Sequence, residues 1–423
     1  MLNNADLKFG AVETPQGKVQ LSHARFIELM QSKDRHVRKN AFEIYYSAYS
    51  GVINTIASAY STSVKKDVYY AKVRGYGSAL EKALFSDNVP VSLYDGLIDG
   101  IHNNLPVMYD YIDTRRRILR LDDIAMYDVY VPLVEDIGEK YSYEQAMETV
   151  ADALSPMGND YLSLIKRAHS ERWVDVYETE GKTSGAYSWG AYGTHPYVLL
   201  NHRSDLDSVY TIAHELGHAL HSYYSDEAQP YSLASYTIFV AEVASTVNEM
   251  LLTHHLLEHG NEVLKKYVLN HYLDQFRTTV LRQTMFAEFE RISHAMCEAG
   301  EPLTHEALSK EYAALNRLYY GEGIKTCDTI SIEWARIPHF YNSFYVYKYA
   351  TGFSAAVMIA DGIYKRRPGV LEAYLAFLKS GGSDYPLALL KKAGVDLLSG
   401  TPVDGAMKAF AAALEDFKAV INM

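Results

Sequence analysis

Cysteine is nearly absent: the chain holds two in 423 residues, Cys297 and Cys327, far apart and outside any C-x-x-C pattern. That excludes a disulfide framework and leaves free thiols, as expected in a reducing cytoplasm. Long apolar runs are also missing, since no stretch approaches the roughly 18 residues that would span a bilayer. The opening Met1-Leu2-Asn3-Asn4-Ala5-Asp6 has neither the basic nor the apolar region of a secretory leader. Excess positive charge is the third absence. Lys and Arg total 40 against 52 Asp and Glu, a formal charge of −12. General binding to nucleic acid needs basic surface to displace counterions, so it is not expected. The expectation is a soluble cytoplasmic protein with neither a nucleic-acid nor a membrane partner.

Phenylalanine is scarce beside tyrosine, 14 against 36. A buried tyrosine hydroxyl wants a partner, so the excess suits a large, polar-lined cleft. Otherwise the composition, 48% hydrophobic and 22% charged, is that of a folded chain long enough for two ordinary domains or one large one.

Apolar residues recur at spacings of three and four along most of the chain, which predicts a mainly α-helical fold. One continuous stripe runs from Asp34 to about Tyr70 and tolerates Gly51. Others cover Ser92–Leu121, with a break expected at Pro106, Tyr143–Leu154, Asp160–Ala168, Leu206–Tyr224 and Phe239–His259. Further stripes follow over Glu262–Glu298, His305–Tyr319, Phe344–Ile363 and Val403–Val420. Strand signals cluster at 173–177 and 195–201, on either side of a Gly- and Tyr-rich stretch. A small β-sheet therefore precedes the helix that starts at Leu206.

That helix contains Ala213-His214-Glu215-Leu216-Gly217-His218-Ala219-Leu220-His221. Positions i and i+4 share a helical face, so His214 and His218 can direct imidazole nitrogens at one ion. Glu215 is rotated off that face, far enough to miss the metal yet able to reach a water beside it. Zinc catalysis requires neutral nitrogen ligands, an open position and a carboxylate that takes a proton. Gly217 inside the motif marks where the helix approaches other backbone.

A third ligand is needed. The extended pattern H-E-x-x-H-x-x-G-x-x-H fails here, because residue 221 is His and residue 224 is Tyr. The next stripe offers Glu242 and, seven residues on, Glu249, on a common face among the apolar Phe239, Val240, Val243, Ala244 and Val247. An acid in such surroundings needs a partner. Glu242 is the expected ligand, and Glu249 the acceptor that holds a histidine ring. A purely structural zinc would need a fourth protein ligand, for which His221 is the nearby candidate. The segment 338–352 is dense in hydroxyl and imidazole donors, which suit a packed aromatic helix or stabilisation of an oxyanion.

Four segments, G-K-T-S-G-A-Y-S-W-G-A-Y-G-T-H-P-Y-V-L-L-N, A-H-E-L-G-H-A-L-H-S, I-F-V-A-E-V-A-S-T-V-N-E and R-I-P-H-F-Y-N-S-F-Y-V-Y-K-Y-A-T-G, together resemble the oligoendopeptidase F family. This is the bacterial branch of the thimet-oligopeptidase-like zinc metallopeptidases. The opening of the chain resembles the interior of that family's members, so the resemblance implies that a helical N-terminal region is absent. It further implies a helical, zincin-like fold with a deep channel for short peptides. One zinc would be held by His214, His218 and Glu242, with Glu215 as the catalytic glutamate. His339 and Tyr345 fall in the family's late His/Tyr motif, which binds substrate and polarises the scissile carbonyl, with Tyr349 the alternative tyrosine. Gly185, Ala186 and Tyr187, with His195 and Tyr197, match the small sheet whose edge pairs with extended substrate backbone.

The expected activity is hydrolysis of internal bonds in short oligopeptides, with residues 1–170 forming part of the channel wall and 171–423 the zinc catalytic region. The alternatives are a truncated, weakly active peptide binder and a zinc hydrolase acting on other substrates.

Overall fold

The apolar stripes fold as helices with three departures, each at a residue of particular backbone character. The computed structural model describes residues 6–135, 137–325 and 328–423. The stripe expected to run unbroken through Gly51 is two helices, Arg35–Ser50 and Ile53–Val73. Glycine adds flexibility there, and Val52 leaves helical geometry at φ −127°. Pro106 does the opposite of what its chemistry suggests, since Val91–Ile118 continues through it. Leu105 and Met108 are buried beside it, and packing of that face outweighs the roughly 3 kcal/mol a proline costs inside a helix. The third departure is a π-helical turn, Phe276–Leu281, between Glu262–Gln275 and Arg282–Glu298.

The chain divides into two units whose segments interleave. The first takes residues up to 86, 90–135 and 281–347. Its helices Ile53–Val73, Val91–Ile118, Arg282–Glu298 and His305–Tyr320 pack around Tyr60, Tyr94, Phe289, Tyr312 and Phe340. Here the tyrosines serve the core rather than a cleft. Tyr60 shares a hydrogen with Ser293 at 2.7 Å, and Tyr94 donates to the Ala287 carbonyl at 2.7 Å. Two buried carboxylates are paired with arginines. Glu333 accepts from Arg282 and Arg336, each at 2.7 Å, and Asp128 accepts from Arg38 at 2.6 Å.

The second unit takes residues 87–89, 136–280 and 348–423. Its sheet has the strand Tyr197–Leu199 at the centre, parallel to Val174–Asp175 and antiparallel to Tyr187–Trp189. The helix Leu206–Ala228 follows, capped by Asp205, whose Oδ1 accepts from the Ser208 N–H at 2.9 Å. It lies against the helix Ile238–His259. Asn248 ties the pair together, donating to the Ala213 carbonyl at 3.0 Å and accepting from Tyr161 at 2.9 Å. Tyr210 and Thr253 share a hydrogen at 3.0 Å further along. No described helix is long and apolar enough to cross a membrane. Cys297 is a free thiol, and Cys327 lies outside the described residues.

Candidate metal centre

The two helices meet at Gly217. A Cβ there would stand 2.5 Å from the Ser245 Cα and 2.7 Å from the Ala244 carbonyl oxygen, so no other residue fits without moving backbone. This close approach brings Glu242, one turn before Ser245, to the histidine face of Leu206–Ala228.

His214 Nε2 and His218 Nε2 are 3.2 Å apart, and Glu242 Oε2 lies 3.6 Å from each. Ligands about 2.0–2.1 Å from a common centre in tetrahedral array stand about 3.3–3.4 Å from one another. The three atoms therefore have the spacing of three corners of a zinc site. Among the described residues this is the group of three or more His, Cys, Asp or Glu side chains able to hold an ion. Three corners leave one open, as in catalytic rather than structural sites. His221 does not supply the fourth. It is buried, stacks on Tyr236 at 3.7 Å and lies against Phe377.

The outer contacts set the ring orientations. Glu249 Oε1 accepts from His214 Nδ1 at 2.5 Å, which leaves the Nε2 lone pair facing the cluster. His218 bonds to the backbone of Ala241. Ser245 Oγ donates to Glu242 Oε2 at 3.3 Å. Electrostatics divide the two imidazoles. Burial by itself would lower His214, but Glu249, by hydrogen bond and charge, and then Glu242 and Glu215 carry it up to about 9. Burial and then the His214 charge push His218 down to about 3. The carboxylates that favour a proton on His214 would favour a divalent cation in the same place, with the imidazole then neutral and its Nε2 free to ligate.

Glu215 is 5% exposed. Burial carries its carboxyl up to about 7, opposed by His214 and reinforced by Glu242 and Glu249. It bonds to the Ser188 backbone, and Oε2 has no hydrogen-bond partner. A carboxyl poised near neutrality can both take and return a proton. His214, Glu215 and Glu249 line one cavity of about 390 Å³, together with Ala186, Thr211 and Gln275.

The expected substrate-contacting residues surround the sheet. Tyr187 sits in the edge strand Tyr187–Trp189, and Trp189, on the same strand, is 71% exposed. Tyr197 is exposed on the central strand, which is paired on both sides. Only the Tyr187–Trp189 edge can therefore accept another strand on that side of the sheet. Gly185 adopts φ +86°, and its carbonyl accepts from Asn201 at 2.8 Å. His195 stacks on the buried Trp173 with rings 5.3 Å apart, a packing contact.

His339 and Tyr345 belong to the first unit. Their rings stack at 6.1 Å and 15°, and burial and then Arg282 lower His339. Tyr349 falls in the helix Tyr347–Tyr364, within the second unit. Two contributors are not evident from the sequence. Ser188 sits in a stretch whose glycines mask the strand, and Gln275 lies 26 positions from the Glu249 it bonds to.

The sequence pattern of peptidase family M3 matches residues 28–409. Oligopeptidase PepF of Bacillus subtilis is 46% identical over all of this chain and 63% of its own length. The chromosomal oligoendopeptidase F of Lactococcus lactis subsp. cremoris is 43% identical over all of this chain and 70% of its own. The crystal structure of oligoendopeptidase-F from Enterococcus faecium superposes with TM-score 0.82 at 40% identity, covering all of this chain and 70% of that one. The chain thus spans 63% of the PepF length. It belongs to peptidase family M3, in the oligoendopeptidase F branch.

Proposed function

We propose that the chain is the zinc-dependent catalytic part of an endopeptidase that hydrolyses internal bonds of short oligopeptides. The observation that carries this reading is the tetrahedral spacing of His214, His218 and Glu242 beside the buried carboxyl of Glu215. One zinc held by these three donors would polarise the scissile carbonyl and acidify an attacking water.

The chain's own residues do the rest. Glu215 takes the water's proton and passes it to the leaving amine, roles that suit a carboxyl raised to about 7. Glu249 keeps His214 in the tautomer that offers Nε2. The family resemblance assigns to His339 and Tyr345 the hydrogen bonds to the developing oxyanion. Tyr349 is the alternative tyrosine for this task. The Tyr187–Trp189 edge pairs with extended peptide backbone, and Gly185, Ala186, His195 and Tyr197 shape the surface around it. The free Cys297 thiol accords with a cytoplasmic setting. Hydrolysis of an internally quenched peptide, abolished by a chelator and restored by zinc, tests the reading. Activity that persists in the chelator overturns it.

A further inference from the structure

Glu249 does not end the chain of contacts behind His214. Its Oε1 accepts from His214 Nδ1 at 2.5 Å, and its Oε2 accepts from Gln275 Nε2 at 2.6 Å. Both carboxylate oxygens are thus engaged, one on each side, by donors from different helices. A glutamate held at one oxygen alone can still rotate about its last torsion, which is broad. A second donor on the other oxygen fixes the plane.

Gln275 is built for that contact. Its Oε1 is buried and has no hydrogen-bond partner, whereas its Nε2 makes the short bond to Glu249. The flipped amide would set a carbonyl oxygen against a carboxylate. The orientation is therefore dictated by Glu249, at the cost of an unsatisfied carbonyl that native structures rarely tolerate without reason. The backbone beneath is fixed as well. Gln275 is the last residue of Glu262–Gln275, and the π-turn begins at the next residue, Phe276, whose buried ring packs on Phe353 at 5.0 Å and Phe410 at 5.2 Å. Such π-turns frequently mark functional positions in helices.

We propose that Gln275 is a positioning residue for the metal centre, locking the Glu249 carboxylate and, through it, the imidazole of His214. The proposal rests on the metal reading above, and it concerns affinity for the ion rather than turnover.

The test is a zinc dissociation constant for the full chain, measured by competition with a chromophoric chelator, alongside thermal unfolding of the metal-free protein. Gln275→Leu is expected to weaken zinc binding 10- to 100-fold while leaving metal-free unfolding unchanged. Gln275→Glu, which sets two carboxylates face to face, is expected to weaken it further, and it serves if the leucine variant fails to fold. The double variant with Glu249→Gln is expected to bind no more weakly than Glu249→Gln alone, because Gln275 acts through Glu249. Wild-type affinity in Gln275→Leu, multiplying losses in the double variant, or a loss confined to metal-free stability overturns the proposal. A wild-type chain that binds no zinc at one equivalent overturns the metal reading itself, and the proposal with it.

Discussion

Gly217 and Ser245 are in backbone contact across two helices: a methyl on Gly217 would lie 2.5 Å from the Ser245 Cα. The contact places Glu242 against the histidine pair, so a packing glycine sets the spacing of the three side chains. Gly217→Ala forces the helices apart, because the obstructing atoms are backbone and cannot yield. It is expected to cost about 1–3 kcal/mol in denaturant unfolding and to weaken zinc binding in the same protein. Unchanged unfolding with unchanged affinity would show that the helices have slack.

Zinc is expected to stabilise the folded chain. At a hundredfold excess over its dissociation constant, an ion that binds only the native state adds about 2.7 kcal/mol. His218→Ala removes one of three donors and is expected to abolish that gain. Thermal unfolding with and without zinc reads the difference directly, with no need for a substrate.

The convergence of His214, His218 and Glu242 was legible in the sequence because two rigid periodicities generate it. Four residues on one helix bring the histidines to one face, and Gly217 announces a close neighbour. The hairpin Ala11–Thr14 with Gly17–Gln20 was not legible: its strands are short, mostly exposed and without an apolar face. Gln275 escaped because its partner comes from another helix, and such tertiary contacts carry no period. Gly51 and Pro106 misled in opposite directions, since a local propensity decides a boundary only where packing does not.

The Glu333 cluster predicts acid sensitivity. Burial alone would raise Glu333, but the charges of Arg282 and Arg336, with the Tyr312 hydrogen bond, hold it down to about 2. A carboxylate depressed in the folded state contributes stability that is present above its unfolded pKa and lost as pH falls through the folded one. Stability of the wild type is thus expected to decline between about pH 4.5 and pH 2 through this group. Glu333→Gln leaves two half-buried guanidiniums without their carboxylate and is expected to cost about 3 kcal/mol at neutral pH. Urea titrations across pH measure both.

Glu290 behaves in the opposite sense. It is buried completely; its Oε1 accepts from the Phe344 N–H at 2.8 Å and its Oε2 has no partner. Burial, opposed by that bond and aided by Asp67, raises its carboxyl well above the usual range. The folded chain therefore keeps it neutral at pH values where the unfolded chain ionises it. Its contribution is full below the ordinary carboxylate pKa and shrinks as pH rises. Glu290→Gln, which preserves the acceptor for Phe344 and carries no charge, is expected to equal or exceed wild-type stability near pH 8. A loss growing with pH would contradict this.

In the proposed mechanism Glu215 moves the proton while His214, His218 and Glu242 hold the metal. Glu215→Gln separates the two tasks. The measurement is cleavage of a quenched peptide by this variant loaded with one equivalent of zinc. Zinc affinity is expected to stay at the wild-type level while turnover falls by about 10²- to 10⁴-fold. Near-wild-type turnover in the zinc-loaded variant would contradict this division of roles.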